Sequence, residues 1–113
     1  MLESLKEKLL KTNYFIENDF LNKYCQLMFE NIITNRIKYK TERHHFVPLS
    51  YYSILHKEKN RKLLNMYSKE DKNLIINLSH FNHLLAHYYL CLCSKNNLRE
   101  KLCVAFNRMT YCN

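Results

Sequence analysis

Glu42-Arg43-His44-His45-Phe46-Val47-Pro48 is the stretch whose reading decides the fold. Two adjacent histidines are followed by two apolar residues and then by the only proline of the chain. From Tyr39 to Val47 the apolar period shortens and β-branched and aromatic residues enter, which predicts a short strand. Pro48, lacking a backbone N–H, ends it, so the histidine pair stands at the strand's end. Further on, Leu74 to Asn77 is apolar and short enough to be the partner strand. Ser79 is a good N-cap for the run His80 to Cys93, which holds no helix breaker and predicts a helix. His83 and His87 stand four apart on it and share one face.

A strand, a turn, a second strand and a helix with two histidines on one face can set three imidazoles around a single cation. Coordination positions then remain for water and phosphate. A further histidine beside that cation, held off it, has an unperturbed pKa near ~6.5 and can take a proton from water at neutral pH. Four of the six histidines of the chain belong to this pattern. Of the other two, His80 lies one turn before His83 and reads as a helix-start surface residue, and His56 reads as part of a basic surface.

Outward from this centre the chain reads as mainly helical. Leu2 to Thr12 places Leu2, Leu5, Leu9 and Leu10 at helical spacing. Phe15 to Thr34 repeats the pattern with Phe20, Leu21, Tyr24, Leu27, Met28 and Ile32. Leu98 to Thr110 forms a terminal helix with Leu98, Leu102, Ala105, Phe106 and Met109 on one side. All three stripes are read as core. With 113 residues the chain has room for one core. The expectation is a single α+β domain over 1–113: a helical extension over 1–35, a ββα core over 36–95 with a basic insertion over 49–72, and a C-terminal helix over 96–113.

Charge is unevenly spread. The formal total is +8, of which residues 36–62 carry +6, residues 1–35 carry −1 and residues 63–113 carry +3. The excess surrounds the histidine pair, and such a patch usually contacts polyanions, nucleic acid above all. Arg36, Lys38, Lys40 and Arg43 alternate along the incoming strand, and Lys57, Lys59, Arg61 and Lys62 sit in the insertion as candidate phosphate contacts. Five cysteines, an odd number, with neither a secretory signal nor an apolar stretch of membrane-spanning length, fit a reduced cytoplasmic setting. Cys91 and Cys93, one residue apart, do not match a zinc knuckle, so the thiols are read as free and mostly buried.

The quoted residues resemble the HNH endonuclease family, whose core is the ββα-metal motif (the His-Me finger), and in particular its small phage and homing-type members. The resemblance runs through Glu42 to Pro48, Asn73-Leu74-Ile75-Ile76-Asn77-Leu78 and His83-Leu84-Leu85-Ala86-His87, and covers roughly residues 36 to 109. It implies that His44 is a metal ligand with His83 and His87, and that His45 is the general base. It further implies that Asn73 ties the turn that orients the base, and that Glu42 helps order the site together with an arginine. Arg43 or Arg36 would meet the scissile phosphate. The cofactor implied is one divalent ion, Mg²⁺, Mn²⁺ or Zn²⁺, and the partner is duplex DNA, with a homodimer through the N-terminal helices as an option. Phage members commonly carry a glycine-containing turn after the histidine pair. This chain has no glycine and puts 27 residues between His45 and Asn73. The expected function is metal-dependent phosphodiester hydrolysis in the host cell of a phage, virus or mobile element. The alternatives are a metal-stabilised DNA-binding module of the same fold that no longer cuts, and an RNA-binding or protein-interaction helical domain.

Overall fold

Local sequence sets where several of the elements start and stop. The structure, a computed structural model, describes residues 2–34, 40–67 and 69–111. Along them run α1 (Leu2–Leu10), α2 (Asp19–Thr34), β1 (Glu42–His45), α3 (Leu49–Lys57), α4 (Arg61–Leu64), α5 (Lys69–Lys72), β2 (Ile75–Leu78), α6 (His80–Cys93) and α7 (Asn96–Tyr111). The class is α+β, mostly helical with one small antiparallel sheet.

In that sheet Glu42 pairs with Leu78, Arg43 with Asn77, His44 with Ile76 and His45 with Ile75. The Phe46 N–H adds one more bond, to the Leu74 carbonyl at 3.0 Å. A two-stranded ribbon is marginal by itself. This one is held because one of its faces is buried: His44, Ile76 and Leu78 point inward against α2 and α6. The other face, with Arg43 and Asn77, looks outward. Ser79 caps α6 as its sequence suggests, its hydroxyl accepting from the Asn82 N–H at 3.1 Å.

The second helix begins at Asp19 and not at Phe15, because residues 14–16 are taken up in pairing. The Ile16 N–H bonds the Cys93 carbonyl at 2.7 Å, and the Lys95 N–H bonds the Tyr14 carbonyl at 2.9 Å. Asn18 then caps α2, its Oδ1 accepting from the N–H groups of Phe20 and Leu21, while its Nδ2 donates to the Leu92 carbonyl. One side chain thus starts α2 and ties it to the end of α6.

The 49–72 insertion is ordered as three helices. Pro48 precedes α3, and α3 ends in a Schellman turn: the Lys59 N–H bonds the His56 carbonyl and the Asn60 N–H bonds the Leu55 carbonyl. A glycine normally takes the left-handed position of that turn. Here Lys59 does, at φ 57°. Asn60 caps α4 by accepting from the Leu63 N–H. The insertion is anchored from below by Tyr51, Tyr52 and Tyr67, which pack on one another. It is also clamped to α1, where Lys8 pairs with Asp71 at 2.5 Å and the Tyr67 hydroxyl donates to the Lys8 carbonyl at 3.0 Å. One hydrophobic core joins residues of α1, α2, α3, β2, α6 and α7 with Phe46 and Val47, which follow β1.

Four cysteines lie among the described residues and all are free. Burial pushes the thiols of Cys25, Cys91 and Cys93 up to about 12, so each is a packing group and a poor nucleophile. No helix of the described residues is long and apolar enough to cross a membrane.

Candidate metal centre

The antiparallel register brings the end of β1 against the first turns of α6, and three imidazoles meet there. Ring centroids lie 5.2 Å apart for His44 and His83, 5.2 Å for His44 and His87, and 4.9 Å for His83 and His87. One ring nitrogen from each falls within 4.8 Å of the others, and no other metal-competent group occurs among the described residues. Tetrahedral bonds of about 2.1 Å to one cation set the donors about 3.4 Å apart, so a separation of 4.8 Å would have to shorten by roughly 1.4 Å on binding.

The second nitrogen of two rings is spoken for. His83 Nδ1 lies 2.8 Å from Glu42 Oε1. A carboxylate only accepts, so Nδ1 carries the proton and Nε2 keeps its lone pair. Tyr24 sits at 2.7 Å from both His44 Nε2 and the Phe46 carbonyl. The carbonyl can only accept, so the tyrosine proton goes there, and the tyrosine oxygen accepts from His44 Nε2–H. That assigns the lone pair of His44 to Nδ1. His87 Nδ1 is buried without a hydrogen-bond partner, a state that a bound cation or its water would relieve.

Burial and neighbouring imidazoles keep His44 and His87 neutral. Burial, then the neighbouring His87 and His83, holds His44 well below the usual histidine range, and burial with the nearby His83 brings His87 down to about 4. Neutral imidazole is the form that binds a metal. Glu42 is held below the ordinary carboxylate range, first by its hydrogen bond from His83 and then by His80, whose Nδ1 stands 3.1 Å from Oε2. The donors thus fit a divalent ion of borderline hardness.

The remaining predicted residues fall as follows. His45 is half-buried on the opposite side of β1 from His44, yet lines the same cleft of about 170 Å³, together with Arg43 and the three ligand candidates. Among the described residues no hydrogen bond holds its ring. Asn73 is exposed two residues before β2, and its backbone N–H closes the preceding turn onto the Lys69 and Glu70 carbonyls. The tie seen at this position is therefore made by the main chain. Among the described residues Glu42 orders His83 and His80, and Arg43 points to the other face of the strand. Lys40, Lys57, Lys59, Arg61 and Lys62 are exposed, and Lys59 and Arg61 share a concavity of about 330 Å³ with His56. Arg36 and Lys38 lie outside the described residues.

Sequence reasoning missed Tyr24. It was part of an ordinary apolar stripe, and nothing in its spacing separates a tyrosine that packs from one whose hydroxyl reaches a metal ligand. It also missed Leu102 and Ala105 of α7, which close the cleft opposite the histidines. Comparison of the chain with protein-family models, with curated proteins and with solved structures gives no match.

Proposed function

We propose that the chain is a metal-dependent DNA endonuclease built on a ββα-metal core. The observation that supports this best is the division within one cleft: three imidazoles converge, the donor nitrogens of His83 and His44 set by Glu42 and Tyr24, while His45 lines the same cleft and stays off the trio. A divalent cation on His44, His83 and His87 would polarise the scissile phosphate and offset charge on the leaving 3′ oxygen.

The protein's own residues would do the rest. His45 takes a proton from the attacking water, whose oxygen forms a new bond to phosphorus as the bond to the 3′ oxygen breaks. The products are a 5′-phosphate and, after proton uptake by the leaving oxygen, a 3′-hydroxyl. Arg43, on the cleft wall, would meet the phosphate, and Lys57, Lys59, Arg61 and Lys62 would hold the backbone further along.

The test is nicking of supercoiled plasmid with Mg²⁺, Mn²⁺ or Zn²⁺ against EDTA. Metal-dependent conversion to open-circular DNA is expected, and no conversion with any of the three ions rejects the enzyme. The unheld ring of His45 and the exposed side chain of Asn73 favour a second reading, a metal-stabilised DNA-binding module that does not cut. DNA binding without nicking in the same assay would select it.

A further inference from the structure

The metal cleft does not end at the histidines. Leu49, Ser50 and Ala105, which form part of its wall, also line a neighbouring groove of about 510 Å³ between α3 and α7. Leu49 is 56 % exposed and Val104 is 50 % exposed, and both line this groove. Large apolar side chains left open beside a polar catalytic cleft suggest an apolar ligand surface more than a defect of packing.

The charges beside them have an order. Lys101, Val104 and Arg108 stand at i, i+3 and i+7, so they share one face of α7 and span about 10 Å. The face reads cation, apolar, cation. One acidic residue, Glu100, lies on the same wall, and the two cations outnumber it. Across the groove α3 contributes Leu49 and, one turn on, Ser53, with the exposed Lys57 a further turn along the same face.

We infer that this groove takes an unpaired nucleic-acid strand next to the scissile phosphate, and that the preferred substrate is DNA with a single-stranded segment at the cut, such as a tail or flap. The inference rests on the nuclease reading for the word substrate, while the groove's chemistry stands apart from it. A base-paired duplex offers phosphates and base edges and hides the apolar faces of its bases. Leu49 and Val104 would gain nothing from it. An unpaired strand offers both things the groove presents partners for: phosphates to Lys101 and Arg108, and base faces to the two aliphatic side chains. The groove volume falls in the range of about 300–1,000 Å³ that takes a small ligand, which is the size of one or two nucleotides and not of a duplex.

The experiment measures binding apart from cutting. Fluorescence anisotropy in EDTA compares three probes of the same sequence: a single strand, a blunt duplex, and a duplex with an unpaired tail. The wild-type chain should bind the single strand and the tailed duplex about tenfold more tightly than the blunt duplex. Val104→Glu, at an exposed position, should remove that preference while leaving blunt-duplex affinity unchanged. Val104→Ser should weaken it, and Lys101→Ala with Arg108→Ala should flatten the salt dependence for the single strand. Equal affinity for all three probes, or Val104→Glu binding the single strand like the wild type, overturns the inference. Cleavage with added Mn²⁺ separates the two readings. A preference for the single strand without cleavage sinks the nuclease and keeps the groove, whereas cleavage of blunt and tailed duplex at equal rates, in the wild type and in Val104→Glu alike, does the reverse.

Discussion

The two faces of β1 differ as sharply as neighbouring residues can. Glu42 and His44 look toward α6, where the carboxylate meets His83 and His80 and His44 Nε2 meets Tyr24, while His87 Nδ1 stays buried without a hydrogen-bond partner. Arg43 and His45 look the other way, and among the described residues no hydrogen bond holds either side chain. The strand's period of two does this. It allows adjacent histidines in sequence to be given opposite environments, one a fixed neutral donor, the other a ring free to meet water. On the proposed function the inward face would hold the metal and the outward face would supply the base.

The largest expected effect separates the faces. His45→Ala should lower nicking by at least about 10²-fold, in the range of general-base catalysis, with metal affinity unchanged. His44→Ala should lose both metal and nicking. Loss of metal binding in His45→Ala, measured by calorimetric titration with Zn²⁺, would erase the distinction between the two residues.

A second effect comes from pH in the metal-free protein. The folded chain keeps His87 neutral down to about 4, whereas an unfolded chain takes up that proton near 6.5. The folded pKa is depressed, so this contribution to stability is complete above pH 6.5 and is lost as pH falls toward about 4. The loss is roughly 3 kcal/mol for this group, and burial acts on His44 in the same direction. Urea midpoints of the metal-free protein at pH 7 and pH 4.5 read it. In His87→Phe the pH dependence should shrink.

Next in size are the residues behind the ligands. Glu42→Gln and Tyr24→Phe should each lower Zn²⁺ affinity by about 10–100-fold. Tyr24→Phe leaves His44 Nε2–H and the Phe46 carbonyl without a partner, so histidine ¹⁵N spectra should also show His44 losing its single tautomer. The smallest effect concerns the insertion alone. Lys59 occupies a left-handed position that glycine takes without steric cost, so Lys59→Gly should raise stability by about 1 kcal/mol in thermal unfolding and leave metal affinity as it was.

How much of this was legible in the sequence follows from which forces are local. The strand and helix that carry the histidines, the Ser79 cap and the grouping of three imidazoles could be read, because period, capping and spacing are properties of short segments; the choice of His44 over His45 as the third member came only from the resemblance. The boundary of α2 could not, since Tyr14 to Ile16 are claimed by Cys93 to Lys95, far away in sequence. Tyr24 was visible only as an apolar-stripe residue, and its reach to His44 exists only once α2 packs on the sheet. The glycine-free insertion looked like the weak point of the motif. The structure shows it as three short helices that α1 clamps through Lys8 and Tyr67, which gives the N-terminal extension a job that no local pattern announces.

The central claim is the division of labour between His44 and His45, and a crystal of the protein soaked in Mn²⁺ tests it most directly. Anomalous density should place one ion within bonding distance of His44, His83 and His87, bound to His44 through Nδ1 and to His83 through Nε2, with the His45 ring outside the coordination sphere. An ion held by His45, or no ion between the three rings, would contradict it.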